Sequence, residues 1–411
     1  MVEIAFKGES LKITTSGILS FDDCEKVLRP EMRQELFKFL PVEKEKQYCI
    51  ILLSEIPITL REIALDDFKL VPFSEKWHPF KPYGLLLYVP IGFDFLTAPL
   101  FGEALAPVLS FSLRRRVKAH RWAYDAMNPP KELSEDVSIR LPSVSVGPEM
   151  SLQQPLSKEE QTRRLETFVK IYKKLMKMNE KEYLATLRAF RLYQLSLLNY
   201  REDIGLAYTL LVAAIESVAN CFLNLKFTFD DLHDAEEWNE LFNGLKIPEP
   251  CVNEIKNKLL KRTQFLGVKF RKFIEKYLPD SFWSSPDSRA IELDDYINKL
   301  TKEHFGAEFR KQRNHFESYW WLYTPERKVT KNELDSVLKA IYHLRSQFAH
   351  RGKSPPFEVV DAFETAEIKV EIDDRGYIKY RRAIPSYFWF ERVVYESIAN
   401  LLGVCMDCLF D

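Results

Sequence analysis

Residues 128–156 hold five prolines, Pro129, Pro130, Pro142, Pro148 and Pro155, and the hydrophobic pattern differs on the two sides of them. Proline fixes its own φ and donates no backbone hydrogen bond, so such a stretch continues neither a helix nor a central strand. The expectation is a linker, or a strand pair bordering one. Before it, the pattern is that of short strands. Residues 48–53 (Tyr-Cys-Ile-Ile-Leu-Leu) and 84–89 (Gly-Leu-Leu-Leu-Tyr-Val) are apolar runs bounded by breakers, which suits buried strands. No long helical period is legible before residue 127. After the linker the period becomes helical. Ser157 followed by Glu160 is a capping-box signature, and Leu165, Phe168, Val169, Tyr172, Leu175 and Met176 recur at helical spacing. Further helices are predicted over about 181–199, 204–223, 252–277, 288–304, 332–350 and 388–408. Residues 368–372 and 377–380 flank Asp373-Asp374-Arg375-Gly376, which predicts a β-hairpin.

The expected fold class is α+β: a mixed, β-rich N-terminal domain followed by an all-α helical bundle that carries a small hairpin. The predicted domains are 1–127, the linker 128–156, and 157–411 with a helical insertion at about 226–330. A chain of 411 residues has room for two or three cores of this kind. The formal net charge is −1, so contact with a nucleic acid needs a local basic patch rather than a general field. The N-terminus lacks the basic start and apolar core of a secretory signal, and no apolar run of about eighteen residues occurs. A cytoplasmic protein with no membrane span is expected. Six sparse cysteines suit free thiols; Cys405 and Cys408 read as two packed side chains rather than half of a zinc site. No metal and no cofactor is expected.

Three Arg–His pairs separated by five positions stand in the chain: Arg115/His120, Arg310/His315 and Arg345/His350. So short a pattern arises by accident, and its context has to select among the three. Only Arg345/His350 follows a strong amphipathic helix, with Leu334, Val337, Leu338, Ile341 and Leu344 on its apolar face, and precedes a stop at Gly352, Pro355 and Pro356. Arginine grips a phosphate with two donors, and histidine exchanges a proton near neutral pH.

The helix containing Tyr208-Thr209-Leu210-Leu211-Val212-Ala213-Ala214-Ile215-Glu216-Ser217, the helical segment after it, the run Ile341-Tyr342-His343-Leu344-Arg345-Ser346 with His350, and a C-terminal helix form a pattern. It resembles the HEPN superfamily, and within it the group similar to the ApeA anti-phage nuclease. The resemblance covers about half the chain, from residue 192 onward. It implies an all-α bundle with an arginine, a polar residue and a histidine as its motif, here filled by Arg345, Ser346 and His350. It also implies a homodimer in which both motifs face one cleft, and a metal-independent endoribonuclease acting in anti-phage defence, abortive infection or as a toxin, with a phage-derived trigger or regulatory partner possible. Glu216 would fix Arg345 from the facing helix.

RNA carries its own nucleophile, the 2′-hydroxyl beside each phosphate. An imidazole would supply the base or the acid, and a guanidinium would hold the negative charge that develops on the phosphorane. A 2′,3′-cyclic phosphate and a 5′-hydroxyl end are the expected products. Five residues along a regular helix turn by about 500°, leaving two side chains roughly 140° apart. The pair would therefore converge if the helix ended near Ala349, or if a symmetric dimer supplied the second group. Arg351 and Lys353, together with Arg115 and Arg116 in the basic run 114–121, are the candidate RNA-binding cations. Two other readings stand beside the nuclease: a non-catalytic HEPN-like dimerisation or RNA-binding module, and a metal-dependent DNase using Asp361, Glu367 and Lys369.

Overall fold

The computed structural model describes residues 2–6, 9–13, 25–38, 45–131 without 57, 59–61, 66 and 73–82, 156–284 without 201, 202, 233, 246 and 264, 329–351, 366–372 and 378–404 without 386. The protein is mixed α+β: an N-terminal antiparallel sheet and then a mostly helical region. Its described residues divide into two compact units, the first up to Tyr200 and the second from Asp203 onward.

The first unit contains a hairpin of β1 (Val2–Phe6) and β2 (Glu9–Ile13), and helix α1 (Pro30–Leu36). Its sheet is built from β3 (Tyr48–Ser54), β4 (Ile63–Ala64), β5 (Lys69–Pro72), β6 (Tyr83–Tyr88) and β7 (Val117–Asp125), in the order β4-β5-β6-β3-β7. β3 lies between β6 and β7, antiparallel to both, and is buried along its whole length. Cys49, Ile51 and Leu53 pack on Leu86 on one face. On the other, Ile50 meets helix α2 (Ala98–Leu113) at Gly102, where a Cβ would lie 3.2 Å from that of Ala119 and 3.3 Å from Ile50 Cδ1. A glycine lets the helix come this close to the sheet.

Sequence periodicity missed α2. Thirteen of its 16 residues are buried, so it has no polar face and no amphipathic period to detect. Asp94, which breaks the apolar run, prepares its start: Oδ1 accepts from the Leu96 and Thr97 backbone N–H groups at 3.0 and 2.7 Å.

Two more helices, α3 (Lys158–Lys177) and α4 (Glu180–Asn199), complete this unit. α3 and α4, expected in the helical domain that starts at residue 157, group with the sheet in the first unit. The apolar faces of α3 and α4 are spent on α2: Phe111 packs on Phe190 and Tyr193, with ring centroids 4.4 and 5.1 Å apart, and Gln194 Nε2 donates to the Val117 carbonyl at 2.6 Å. The predicted cap at Ser157 forms, its Oγ accepting from the Glu160 N–H at 3.1 Å. The Glu160 carboxylate turns to Arg163 and Arg164 instead of closing the box. Burial pushes the Glu160 carboxyl up, and these two arginines outweigh it, holding it below the usual carboxylate range. Most of the predicted linker lies outside the described residues.

The second unit is a bundle around α5 (Ile204–Phe222), against which α8 (Leu266–Tyr277), α9 (Leu334–Arg351) and α10 (Tyr387–Leu401) pack. α5 is long and apolar enough to cross a bilayer by length and composition, yet more than half of it is buried inside the unit, as in a core helix. Tyr208 stacks on Phe390 with centroids 4.9 Å apart, and its hydroxyl donates to the Pro385 carbonyl at 2.6 Å. α6 (Ala235–Gly244) and α7 (Glu249–Arg262) lie outside this core. The helical insertion expected at about 226–330 includes α6, α7 and α8, and its residues 285–328 lie outside the described residues. α8 is integral to the bundle, because Phe270, Phe273 and Ile274, at helical spacing, bury one continuous face. The segment 288–304 and the Arg310/His315 pair lie outside the described residues. The predicted hairpin forms from β8 (Ala366–Ile372) and β9 (Ile378–Pro385), antiparallel. α10 stops at Leu401 rather than at about 408: Gly403 takes φ +64 and the Val404 N–H returns to the Ala399 carbonyl at 2.9 Å. Cys405 and Cys408 lie outside the described residues.

Candidate functional site

The polar centre of the second unit is the seam between α5 and α9. Glu216 sits on the buried stripe of α5, only 8% exposed. A carboxylate so placed needs a cation or donors, and two residues of α9 supply them. Arg345 Nη2 donates to Glu216 Oε2 at 3.0 Å, and the Tyr342 hydroxyl donates to Oε1 at 3.1 Å. Both oxygens are thus occupied, and the Arg345 guanidinium carbon stands 5.8 Å from the Tyr342 ring centroid. Leu338, Ile341, Tyr342 and Arg345 share a face by their spacing, which aims the arginine into the seam. Its side chain remains 22% exposed, and its Nε has no hydrogen-bond partner among the described residues. The expected contact between Glu216 and Arg345 is therefore present, 129 residues apart in sequence.

Tyr342 was not singled out from the sequence, although its position one helical turn before Arg345 is the signal for it. Burial, the charge of Glu216 and the hydrogen bond to it push the phenol up to about 12, against a smaller opposing effect of Arg345. Its ring lies against Phe270, with centroids 5.7 Å apart, and over Gly267, where a Cβ would fall 2.9 Å from Tyr342 Cε1. Gly267→Ala is therefore expected to displace the ring and cost about 1–3 kcal/mol. Urea unfolding measures it; an unchanged midpoint would mean that α8 yields at no cost.

His350 is exposed on the last turn of α9. The helix runs regularly to Arg351, so an end near Ala349, one of the two ways in which the pair would converge, is not present. Arg345 and His350 of one chain consequently project roughly 140° apart. Ser346 is half-buried beside Arg345. His343, Gln347 and His350 fall on one stripe at i, i+4 and i+7, and Gln347 Nε2 lies 2.7 Å from His343 Nε2. A second imidazole thus shares the face of His350. The side chain of Arg351 and the whole of Lys353 lie outside the described residues, as do Asp361 and the side chains of Glu367 and Lys369. β8 pairs only with β9 among the described residues, a two-stranded ladder without the larger sheet that the DNase reading needs.

The basic run of the first unit is not an RNA-binding strip. Arg115 and Arg116 are 4% and 3% exposed, and His120 is 3% exposed. Arg116 is held by Glu55, its Nε donating to Oε2 at 2.6 Å and its backbone N–H to Oε1 at 3.0 Å. Arg115 Nη1 donates to the Arg114 carbonyl at 3.0 Å. These cations serve the fold because the turn from α2 into β7 holds them in the packed interior, where a charge requires a partner. Arg121 and Trp122 alone of this neighbourhood are clearly exposed.

Cavity volume does not locate the chemistry. A groove of about 590 Å³ in the first unit is lined by Ile63, Leu165, Val169, Lys170 and Lys173, with no imidazole or thiol. Among the described residues no three histidine, cysteine, aspartate or glutamate side chains gather as metal ligands. Compared with protein-family models, curated proteins and solved structures, the chain matches none.

Proposed function

We propose that the second unit is a HEPN-like bundle acting, as a homodimer, as a metal-independent endoribonuclease in anti-phage defence or as a toxin effector. The observation that carries this reading is the presentation of Arg345: Glu216 fixes one side of the guanidinium at a seam between two helices, while part of it stays open to an anion. Fixing the cation before the substrate arrives lowers the reorganisation needed when charge builds on the phosphorane. The exposed imidazole of His350 lies on another face of α9, so the active site takes its arginine from one copy and its histidine from the partner. The imidazole removes the 2′-hydroxyl proton as that oxygen attacks phosphorus. The P–O5′ bond then breaks, and the leaving oxygen takes a proton from an acid, a role open to the second imidazole, His343.

The full chain incubated with single-stranded RNA and a chelator should leave 2′,3′-cyclic phosphate and 5′-hydroxyl ends, and a 2′-deoxy substitution at the cut should block the reaction. Intact RNA after long incubation would instead favour the second reading, a non-catalytic dimerisation or RNA-binding module. That reading has its own support in the 3.0 Å ion pair, which already occupies one side of Arg345.

A further inference from the structure

The segments that leave α5 and lead into α8 carry a partly exposed aromatic pair. Phe227, on the segment leaving α5, and Phe265, just before α8, stack with centroids 4.1 Å apart and planes 5° from parallel. One face of each ring is thus turned to the other. Phe265 also takes φ 50, the left-handed region that a bulky side chain disfavours. Neither ring is fully buried, so both present part of their surface to solvent.

Cations flank the two rings in sequence. Lys226 and Arg262 are exposed, and Lys269 Nζ contacts only a neutral amide among its described partners, Asn220 Oδ1, at 2.9 Å. Of the two carboxylates that follow Phe227 in the same turn, Asp230 is exposed and Asp231 is turned onto the backbone N–H and hydroxyl of Thr228 at 2.6 and 3.0 Å. The pair also adjoins the candidate site. Asn220 lies one turn, about 6 Å, along α5 from Glu216. Gly267, two residues after Phe265, touches Tyr342, whose hydroxyl binds the carboxylate that holds Arg345.

We infer that Phe227 and Phe265 form a nucleobase-stacking subsite, with Lys226, Arg262 and Lys269 holding the adjoining phosphates, so that the substrate is a single-stranded RNA. This rests on the ribonuclease reading. A base can stack on an aromatic ring only when it is free of its own helix, and stacking of this kind tolerates any base. The subsite thus selects for strandedness rather than sequence.

The test is equilibrium binding of the full chain to a fluorescent, fully 2′-O-methylated single strand, which cannot be cut. Phe227→Ala should weaken binding by about 5- to 100-fold, Phe227→Tyr should restore it, and the matching duplex should bind less tightly than the single strand. Arg262→Ala, at an exposed position where folding is not at risk, should reduce the slope of log affinity against log salt by about one. Phe227→Ala that binds like wild type, or a salt slope unmoved by Arg262→Ala, overturns the subsite. If Phe227→Ala also cuts RNA like wild type, the nuclease survives without it. A wild-type chain that neither binds nor cuts RNA sinks both.

Discussion

His350→Ala is expected to slow RNA cleavage in the presence of chelator by about 10²- to 10⁴-fold, the usual worth of a positioned proton-transfer group. Arg345→Ala should be at least as severe, since it removes the charge that meets the phosphorane and strands Glu216 in the seam. Arg345→Lys should rescue little, because an ammonium cannot engage Glu216 and a phosphate as a planar fork does. The regular course of α9 to Arg351 makes a sharper test possible. If each site combines Arg345 of one copy with the histidine of the other, mixing the two inactive variants restores one intact site in each heterodimer. Activity should return to about a quarter of wild type. No recovery after subunit exchange would show that a chain uses its own pair, and unchanged cleavage by His350→Ala would remove the histidine from the mechanism.

The largest effect on stability is expected in the first unit. Glu55 and Arg116 are 9% and 4% exposed at their side chains, and their backbones are also bonded, the Glu55 N–H to the Arg116 carbonyl at 3.2 Å. Glu55→Ala leaves Arg116 buried without its counter-ion. The cost should be about 3–5 kcal/mol, read as a fall in melting temperature of about 6–20 °C for a unit of this size. Burial pushes the Glu55 carboxyl up, but Arg116 and Arg115 outweigh it, and the folded-state value lies below the ordinary 4.5. A carboxylate depressed on folding stabilises fully above its unfolded value and loses that contribution as the pH falls through the folded one. Acid unfolding of wild type should therefore steepen below pH 4.5, while Glu55→Ala should follow a flatter acid limb. Parallel limbs would show that the pair contributes nothing net.

Local chemistry was readable wherever it decided the outcome. Ser157 announced the start of α3, and the turn residues Asp373–Gly376 between two short runs announced the hairpin. The pairing of Glu216 with Arg345 was expected from a family resemblance rather than from spacing. Helix α2 was illegible because it is apolar all round, and an amphipathic period exists only where one face meets water. Tyr342 was overlooked because its importance depends on a glycine and a carboxylate from two other helices.

Short-range pattern, then, was enough to specify where most helices begin, the two apolar strands β3 and β6, the hairpin and the helical stripe that presents Arg345, since caps, turns and periodicity act within a few residues. Tertiary packing alone settled where the charges went. Arg116 reads like an RNA-binding cation until Glu55, 61 residues away, is brought beside it. The allocation of α3 and α4 to the sheet was likewise decided by which apolar face they covered. Burial depends on partners distant in sequence, and for a charged side chain burial separates a structural ion pair from a surface that meets phosphate.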